Sequence, residues 1–570
     1  MAPMGLAALR TSPARRRVPW HGARRGVALA GALALLLLAG GPSAPGSMAQ
    51  QALAQEPDGR FLRERLELRQ ELGAVLPFDL DGDGLEDLVV LEADFGQGRD
   101  VAYTLRVLRQ GPEGFTALEQ ATAPLPLHVS LAAMGRFRGG PGLALLTPGQ
   151  LTLWPWQRGR FAPEAASTLA VQSLFPVPGG ELRLGLDWIA DLDGDGVSEL
   201  LVPRFDGLEV VAHDASGRLQ RRALLRVRAN MQLMDWYRRN LIAYEMPAVF
   251  VQQVDGRAWR DIVLFLDGQL WVFLLDDAME AEGRPAVYRD FQPPRPFDPQ
   301  EPWDPPMRLV AGEDLNADGH LDLVLTKNAA SDSQFNTRTH VLVYYGRAGT
   351  EGAPLDYGAD PDQVFLTEGF SLPLLLDLDS DGRKDLVLVN VEIGLWNMIK
   401  ALIQRSMNAQ AAFYFMPRTG RYPRDPHRLR SYEVTFSLGR FAHQPIAAFG
   451  DLNGDGLPDL LLSVDKDTLG IHWGRRDAVW ASGPDARLQD HLPINDSRLH
   501  VVDLDGDGRD DLLFLYNRDD IRQMPAVNGS FTVLRSRYGK ARIAAGGTGT
   551  AAGGTGTAPG GAGTVRAARP

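Results

Sequence analysis

A nine-residue acidic segment recurs six times along the chain, and no other feature narrows the fold as much. It reads DLDGDGLED at Asp79–Asp87, DLDGDGVSE at Asp191–Glu199, DLNADGHLD at Asp314–Asp322, DLDSDGRKD at Asp377–Asp385, DLNGDGLPD at Asp451–Asp459 and DLDGDGRDD at Asp503–Asp511. Each copy sets carboxylate or amide oxygens at positions 1, 3, 5 and 9, with Gly at position 6. Oxygens on alternate residues around a turn-permitting Gly suit a short loop that wraps a hard cation such as Ca²⁺. The six loops hold 22 carboxylates at these positions. That crowding is self-repulsive without positive charge among them, and six divalent ions would supply about 12 charges.

Short apolar runs flank every loop: Val75–Phe78 and Leu88–Leu91 around the first, Ile446–Phe449 and Leu460–Leu462 around the fifth. Runs of this length bounded by turn residues read as strands. Many units add a third strand and a polar turn, as at Leu208–Ala212 before Gly217 and Val341–Tyr345 before Gly346. Two further positions, Gly135–Leu146 and Val254–Leu266, keep the rhythm without the carboxylate set and read as blades without metal. Motif starts then fall near 79, 135, 191, 255, 314, 377, 451 and 503, a spacing of 52 to 74 residues. Four short strands per unit at that period predict an all-β fold, a β-propeller of eight blades, or seven if one unit is misread. The last unit lacks a fourth strand, and the alternating Phe61–Leu68 can supply it and close the ring.

The widest interval contains Ile393–Met416. Trp396, Ile399, Ile403 and Met407 stand there at helical spacing, which predicts a short amphipathic helical insertion docked on the propeller or meeting a partner or membrane. Arg226–Glu245, rich in Met, Trp and Tyr, reads as a second excursion.

The segment FGDLNGDGLPDLLL at Phe449–Leu462 closely resembles the FG-GAP/VCBS-type repeats of integrin α-subunit propellers and of many exported bacterial proteins. The resemblance spans roughly residues 61–540 apart from the insertions. It implies a propeller with Ca²⁺ in hairpin loops on one face, serving structure or adhesion. On the matching positions the side-chain ligands would be Asp79, Asp81, Asp83 and Asp87, with the carbonyl of Leu85. In the second and third loops they would be Asp191, Asp193, Asp195 and Glu199, then Asp314, Asn316, Asp318 and Asp322. The remaining sets would be Asp377, Asp379, Asp381 and Asp385; Asp451, Asn453, Asp455 and Asp459; and Asp503, Asp505, Asp507 and Asp511. Asn316 and Asn453 offer neutral oxygens, so their two loops should bind more weakly. An EF-hand fails on spacing, because its position 12 requires Glu. Here that position is Val90, Val202, Leu325, Leu388, Leu462 or Phe514.

The ends carry other instructions. Arg15–Arg17 and Arg24–Arg25 precede the apolar Val27–Ala39 and a small-residue exit ending near Ala49, the layout of a secretory signal peptide over residues 1–49. Residues 50–60 read as linker and 541–570, almost wholly Gly, Ala and Thr, as a disordered tail. The chain is thus expected in the periplasm, the envelope or outside the cell. Its formal charge of −12 falls to −18 without the six Arg of the first 49 residues, which disfavours nucleic acid as partner. Cys is absent, so thiolate chemistry and disulfides are excluded.

No nucleophile elbow, HExxH, Walker sequence or phosphate-cradling Gly loop occurs in the sequence. The reading is a non-enzymatic, calcium-binding exported module that serves adhesion or scaffolding for a protein or polysaccharide partner. Its alternatives are a secreted glycan-acting enzyme with structural calcium, and an envelope assembly subunit docking through 393–416. Membrane contact would come only through that insertion or an uncleaved signal.

Overall fold

The computed structural model describes residues 60–95, 101–175, 188–236, 239–254, 257, 259–276, 282–291, 307–329, 338–350, 353–368, 370–391, 406–435, 445–476 and 479–538. The expected signal segment, most of the 50–60 linker and the tail lie outside these residues. The strands form eight successive, chiefly antiparallel sheets, the blades of a β-propeller, together with two separate two-stranded hairpins. Each acidic loop joins the first strand of a blade to the second. Blade 1 runs Glu71–Phe78, Asp87–Asp94, Ala102–Gly111 and Gly114–Ala117. Blade 2 runs Leu131–Phe137, Gly140–Leu146 and Gln150–Gln157, with short outer strands Arg160–Phe161 and Ser167–Ala170. Blade 3 holds Ile189–Ala190, Glu199–Arg204, Gly207–His213 and Leu219–Leu225; blade 4 holds Ala248–Gln252, Asp261–Leu266, Gln269–Phe273 and Val287–Asp290. Blades 5 and 6 begin at Arg308–Glu313 and Phe370–Leu376, and blades 7 and 8 at Ala447–Gly450 and Leu499–Val502.

The second strands, such as Asp87–Asp94 and Asp261–Leu266, are buried along nearly their whole length. They lie mid-sheet with a blade against each face, which is why they read as unbroken apolar runs and not as alternating ones. Apolar clusters sit between neighbouring blades around the ring. Leu143, Leu145 and Trp154 of blade 2 meet Val89, Leu105 and Val107 of blade 1. Val341 and Val343 of blade 5 meet Leu386 and Leu388 of blade 6. The last cluster joins Leu513, Phe531 and Val533 of blade 8 to Leu88 and Val90 of blade 1. The ring therefore closes.

Closure uses the chain's own start. Phe61–Glu67 pairs antiparallel with Ser530–Ser536 as the outer strand of blade 8, with Leu66 opposite Phe531 and Arg63 opposite Leu534. Blade-to-blade hydrogen bonds repeat the theme. The position-8 N–H of a loop donates to the preceding blade: Glu86 to Leu504 O at 2.8 Å, Ser198 to Arg136 O at 2.6 Å, Arg260 to Leu192 O at 2.7 Å, and Lys384 to Leu315 O at 2.8 Å.

One expectation changes. The helix over Ile393–Met416 does not hold for its C-terminal part: Ser406–Tyr414 is the third strand of blade 6, paired with Asp385–Val391 and Arg428–Thr435. Ala411 and Phe413 pack in one interblade cluster and Ala412 and Tyr414 in another, the two-sided alternation of a strand, which outweighs the helical propensity of Ala. Trp396, Ile399 and Ile403 lie outside the described residues. The excursion at Arg226–Glu245 contains a two-stranded hairpin, Asn230–Trp236 with Arg239–Glu245, which pairs with no blade among the described residues. Regular helix is limited, among the described residues, to the six-residue Arg518–Gln523 and short 3₁₀ turns.

Candidate metal centre

All six acidic loops adopt one backbone conformation. The position-6 glycines Gly84, Gly196, Gly319, Gly382, Gly456 and Gly508 have φ between +82° and +91°, the left-handed region that only Gly enters freely. Position 4 is also left-handed, and there Ala317 and Ser380 stand at φ 61° and 58° in place of Gly. Each position-1 carboxylate accepts the position-6 N–H, from 2.8 Å at Asp314 and Asp451 to 3.2 Å at Asp79 and Asp191. Each position-5 carboxylate accepts the position-7 N–H, as Asp83 does from Leu85 at 2.9 Å and Asp195 from Val197 at 2.7 Å. These bonds fold the loop back so that alternate side chains converge.

Three carboxylates gather closely in four loops. Ligand-capable oxygens of Asp79, Asp81 and Asp83 lie within 4.8 Å of one another, as do those of Asp191, Asp193 and Glu199; of Asp377, Asp379 and Asp385; and of Asp503, Asp505 and Asp507. Asp87, Asp195, Asp381 and Asp511 stand in these loops outside the trios. In the loops of Asp314, Asn316, Asp318 and Asp322, and of Asp451, Asn453, Asp455 and Asp459, no such trio forms among the described residues. These are the two loops with Asn at position 3.

The position-9 residue has a second task that its place in the motif does not announce. Asp322 is fully buried and accepts the N–H of Leu315 at 2.9 Å and of Gly346 at 2.7 Å. Asp459 does the same with Leu452 and Gly474, Asp511 with Leu504 and Ser536, Asp385 with Leu378 and Met416, and Asp87 with Leu80 and Gln110. The carboxylate thus ties the loop to the end of the third strand. Asp261 makes the same two bonds, to Val254 at 2.9 Å and Leu275 at 3.0 Å, although its loop lacks the acid set. The unvarying six-residue gap between the position-2 apolar residue and this acid could have revealed it. Blade 2 dispenses with the loop altogether: Phe137 pairs with Gly140 across a two-residue turn.

Burial governs the charge state of these latches. Desolvation pushes Asp87 up to about 6 and Glu199, Asp322, Asp385, Asp459 and Asp511 up to about 8. Backbone N–H donors oppose that shift and the other loop carboxylates add to it. Asp193, Asp377, Asp379, Asp451 and Asp505 are raised as well, again chiefly by desolvation. Arginines meet some outward oxygens: Arg109 pairs with Asp81, Arg383 with Asp381 and Arg509 with Asp507.

The donor set fits a hard divalent cation. Asp379 Oδ1 and Asp505 Oδ1 are buried inside their loops with no hydrogen-bond partner, facing other carboxylates. A buried anionic oxygen in that setting lacks compensation that a cation of this class provides.

The model of the FG-GAP-like repeat matches residues 451–514, from the loop of blade 7 through that of blade 8. An FG-GAP-like repeat is thus present over those residues, within an eight-bladed propeller. No curated protein matches it. Among solved structures it is similar to an Agrocybe aegerita lectin that recognises non-reducing terminal N-acetylglucosamine, at 14% identity over 73% of this chain and 94% of that one, with a TM-score of 0.35. It is also similar to a Lactobacillus plantarum protein, at 15% identity over 63% and 84% with a TM-score of 0.32. A third likeness is to the V. cholerae biofilm matrix protein Bap1, at 12% identity over 83% and 89% with a TM-score of 0.29. The fold itself rests on the strand pairing and the closed ring.

Proposed function

We propose that this chain is an exported, calcium-stabilised propeller that acts without catalysis, as a binding or scaffold module for a protein or polysaccharide partner. A propeller of this type is in general a binding or scaffold module, and the calcium reading is carried by the buried, unpartnered oxygens of Asp379 and Asp505 among gathered acids. The loop carboxylates would hold the ion and the position-9 latch would couple it to the sheet. Bound calcium would neutralise the carboxylates and fix the first hairpin of each blade. The leader-like residues 1–49 support export, where calcium is plentiful.

At free Ca²⁺ tenfold above the site affinity, six ions would add about 8 kcal/mol. For a ring of this size that corresponds to a fall in Tm of about 8 °C on chelation. Calorimetric titration of the EDTA-treated protein should show Ca²⁺ uptake, and melting in EDTA should fall to match. No uptake and an unchanged melting curve would overturn the calcium reading. Capture of a partner from an envelope extract with calcium but not with EDTA tests the binding reading.

A further inference from the structure

An open trough of about 670 Å³ lies between the outer parts of blades 2 and 3, away from the acidic loops. Its volume is in the range of small-ligand sites. Ala170 and Gln172 contribute from blade 2; Arg204, Glu209, Arg221 and Arg222 contribute from blade 3. Arg221, Arg222, Ala223 and Leu224 all line this cavity, and a bulge sets the two arginines side by side there. Val210 pairs with Ala223 and Val211 with Arg221, so Arg222 stands opposite no residue, and bulges re-aim side chains in this way.

Beneath the arginines lies Glu209, 3% exposed. Its Oε1 meets Arg221 Nε at 2.7 Å and Arg204 Nη1 at 3.4 Å. Arg204 also donates to Asp206, from Nε at 2.9 Å and Nη2 at 3.3 Å. Arg221 Nη2 donates to Ala170 O at 2.5 Å and so fastens one blade to the other. Two groups are left over. Glu209 Oε2 is buried with no hydrogen-bond partner, and Arg222, half-buried, makes no ion pair or hydrogen bond among the described residues.

We infer that this trough binds a uronic-acid-type saccharide, its carboxylate on the Arg222 guanidinium and a neighbouring hydroxyl donated to Glu209 Oε2. A planar guanidinium matches a carboxylate with two parallel hydrogen bonds, and a buried acceptor requires a donor. A neutral sugar brings only the hydroxyl, and inorganic phosphate leaves most of the trough empty. Arg221 stays on Glu209 Oε1, which leaves Oε2 for the hydroxyl. The inference deepens the binding-module reading and rests on it, but it does not depend on calcium.

The test is calorimetric titration of the full chain, in saturating Ca²⁺, with trigalacturonate, maltotriose, inorganic phosphate and a poly-Glu hexapeptide. Trigalacturonate should bind and maltotriose should not. Arg222→Gln should weaken binding at least tenfold and Glu209→Gln severalfold, with Tm in calcium unchanged for Arg222→Gln. The inference is overturned by absent trigalacturonate binding, by undiminished binding to the Arg222→Gln protein, or by phosphate or the hexapeptide binding as tightly as the saccharide. Because calcium uptake is read on EDTA-treated protein and saccharide binding in saturating calcium, a chain that takes up calcium but ignores trigalacturonate sinks this inference alone.

Discussion

Asp261 shows what the position-9 carboxylate does in a loop that lacks the rest of the acid set. The corresponding loop has Gln253 at position 1 and Arg257 at position 5, the latter paired with Asp276 at 3.1 Å, yet the acid at position 9 remains and is wholly buried. Its two backbone bonds give it a structural role: without it the N–H groups of Val254 and Leu275 would be left unsatisfied in the core. Asp261→Ala should therefore destabilise the protein by about 2–4 kcal/mol, by the same amount in calcium and in EDTA, as chemical denaturation would read. Asp459→Ala removes the same kind of latch together with a loop acid. Its loss should be larger in calcium than in EDTA. Equal losses in the two buffers for Asp459→Ala would mean that the latch alone matters at position 9.

The loops are also where pH acts. In metal-free protein the position-9 acids have folded pKa values raised to about 6 at Asp87 and about 8 at Asp322, Asp385, Asp459 and Asp511, against an ordinary carboxylate near 4 in the unfolded chain. A raised folded pKa means that the folded state holds the proton more tightly. The contribution to stability is complete below about pH 4 and is lost as pH rises through 6 to 8. Melting in EDTA should therefore fall between pH 5 and 8.5, and saturating calcium should abolish the slope by supplying the charge the proton supplied. A flat profile in EDTA would show that the latches ionise freely. Much of this element was legible in the sequence, because ligand spacing, Gly at position 6 and the flanking apolar runs are local properties. The two blades without the acid set were legible too, through rhythm alone. What escaped depends on partners distant in the chain: the backbone donors that hold position 9, the position-8 stitches between blades, and the bulge that turns Arg222 into the trough. Ser406–Tyr414 was misread as helix because Met407 completes a helical spacing, whereas burial against Val387 and Tyr432 follows every second residue.

Closure makes the ring a single cooperative object with two vulnerable seams, and both lie at blade 8. One seam is the pairing of Phe61–Glu67 with Ser530–Ser536; the other is the contact of blade 8 with blade 1, where Leu66, Phe531 and Val533 pack with Leu88 and Val90. The closing strand also reaches across the second seam. Glu64 accepts the N–H of Phe115 in the outer hairpin of blade 1 at 2.8 Å, and Arg63 pairs with Asp490, beyond the outer strand of blade 7, at 2.6 Å. One short segment therefore bridges three blades, so its loss is felt beyond its own sheet. Leu66→Ala should cost about 2–4 kcal/mol from lost packing, whereas removal of residues 61–67 should do something different in kind. It leaves Ser530–Ser536 with an open edge of unpaired N–H and C=O groups, and such an edge recruits another chain. The truncated protein should elute as dimers or larger species, and a synthetic peptide of residues 60–68 added during refolding should return it to monomer. A truncated chain that stays monomeric with an unchanged melting temperature would mean that the interblade clusters hold the ring without the strand that closes it.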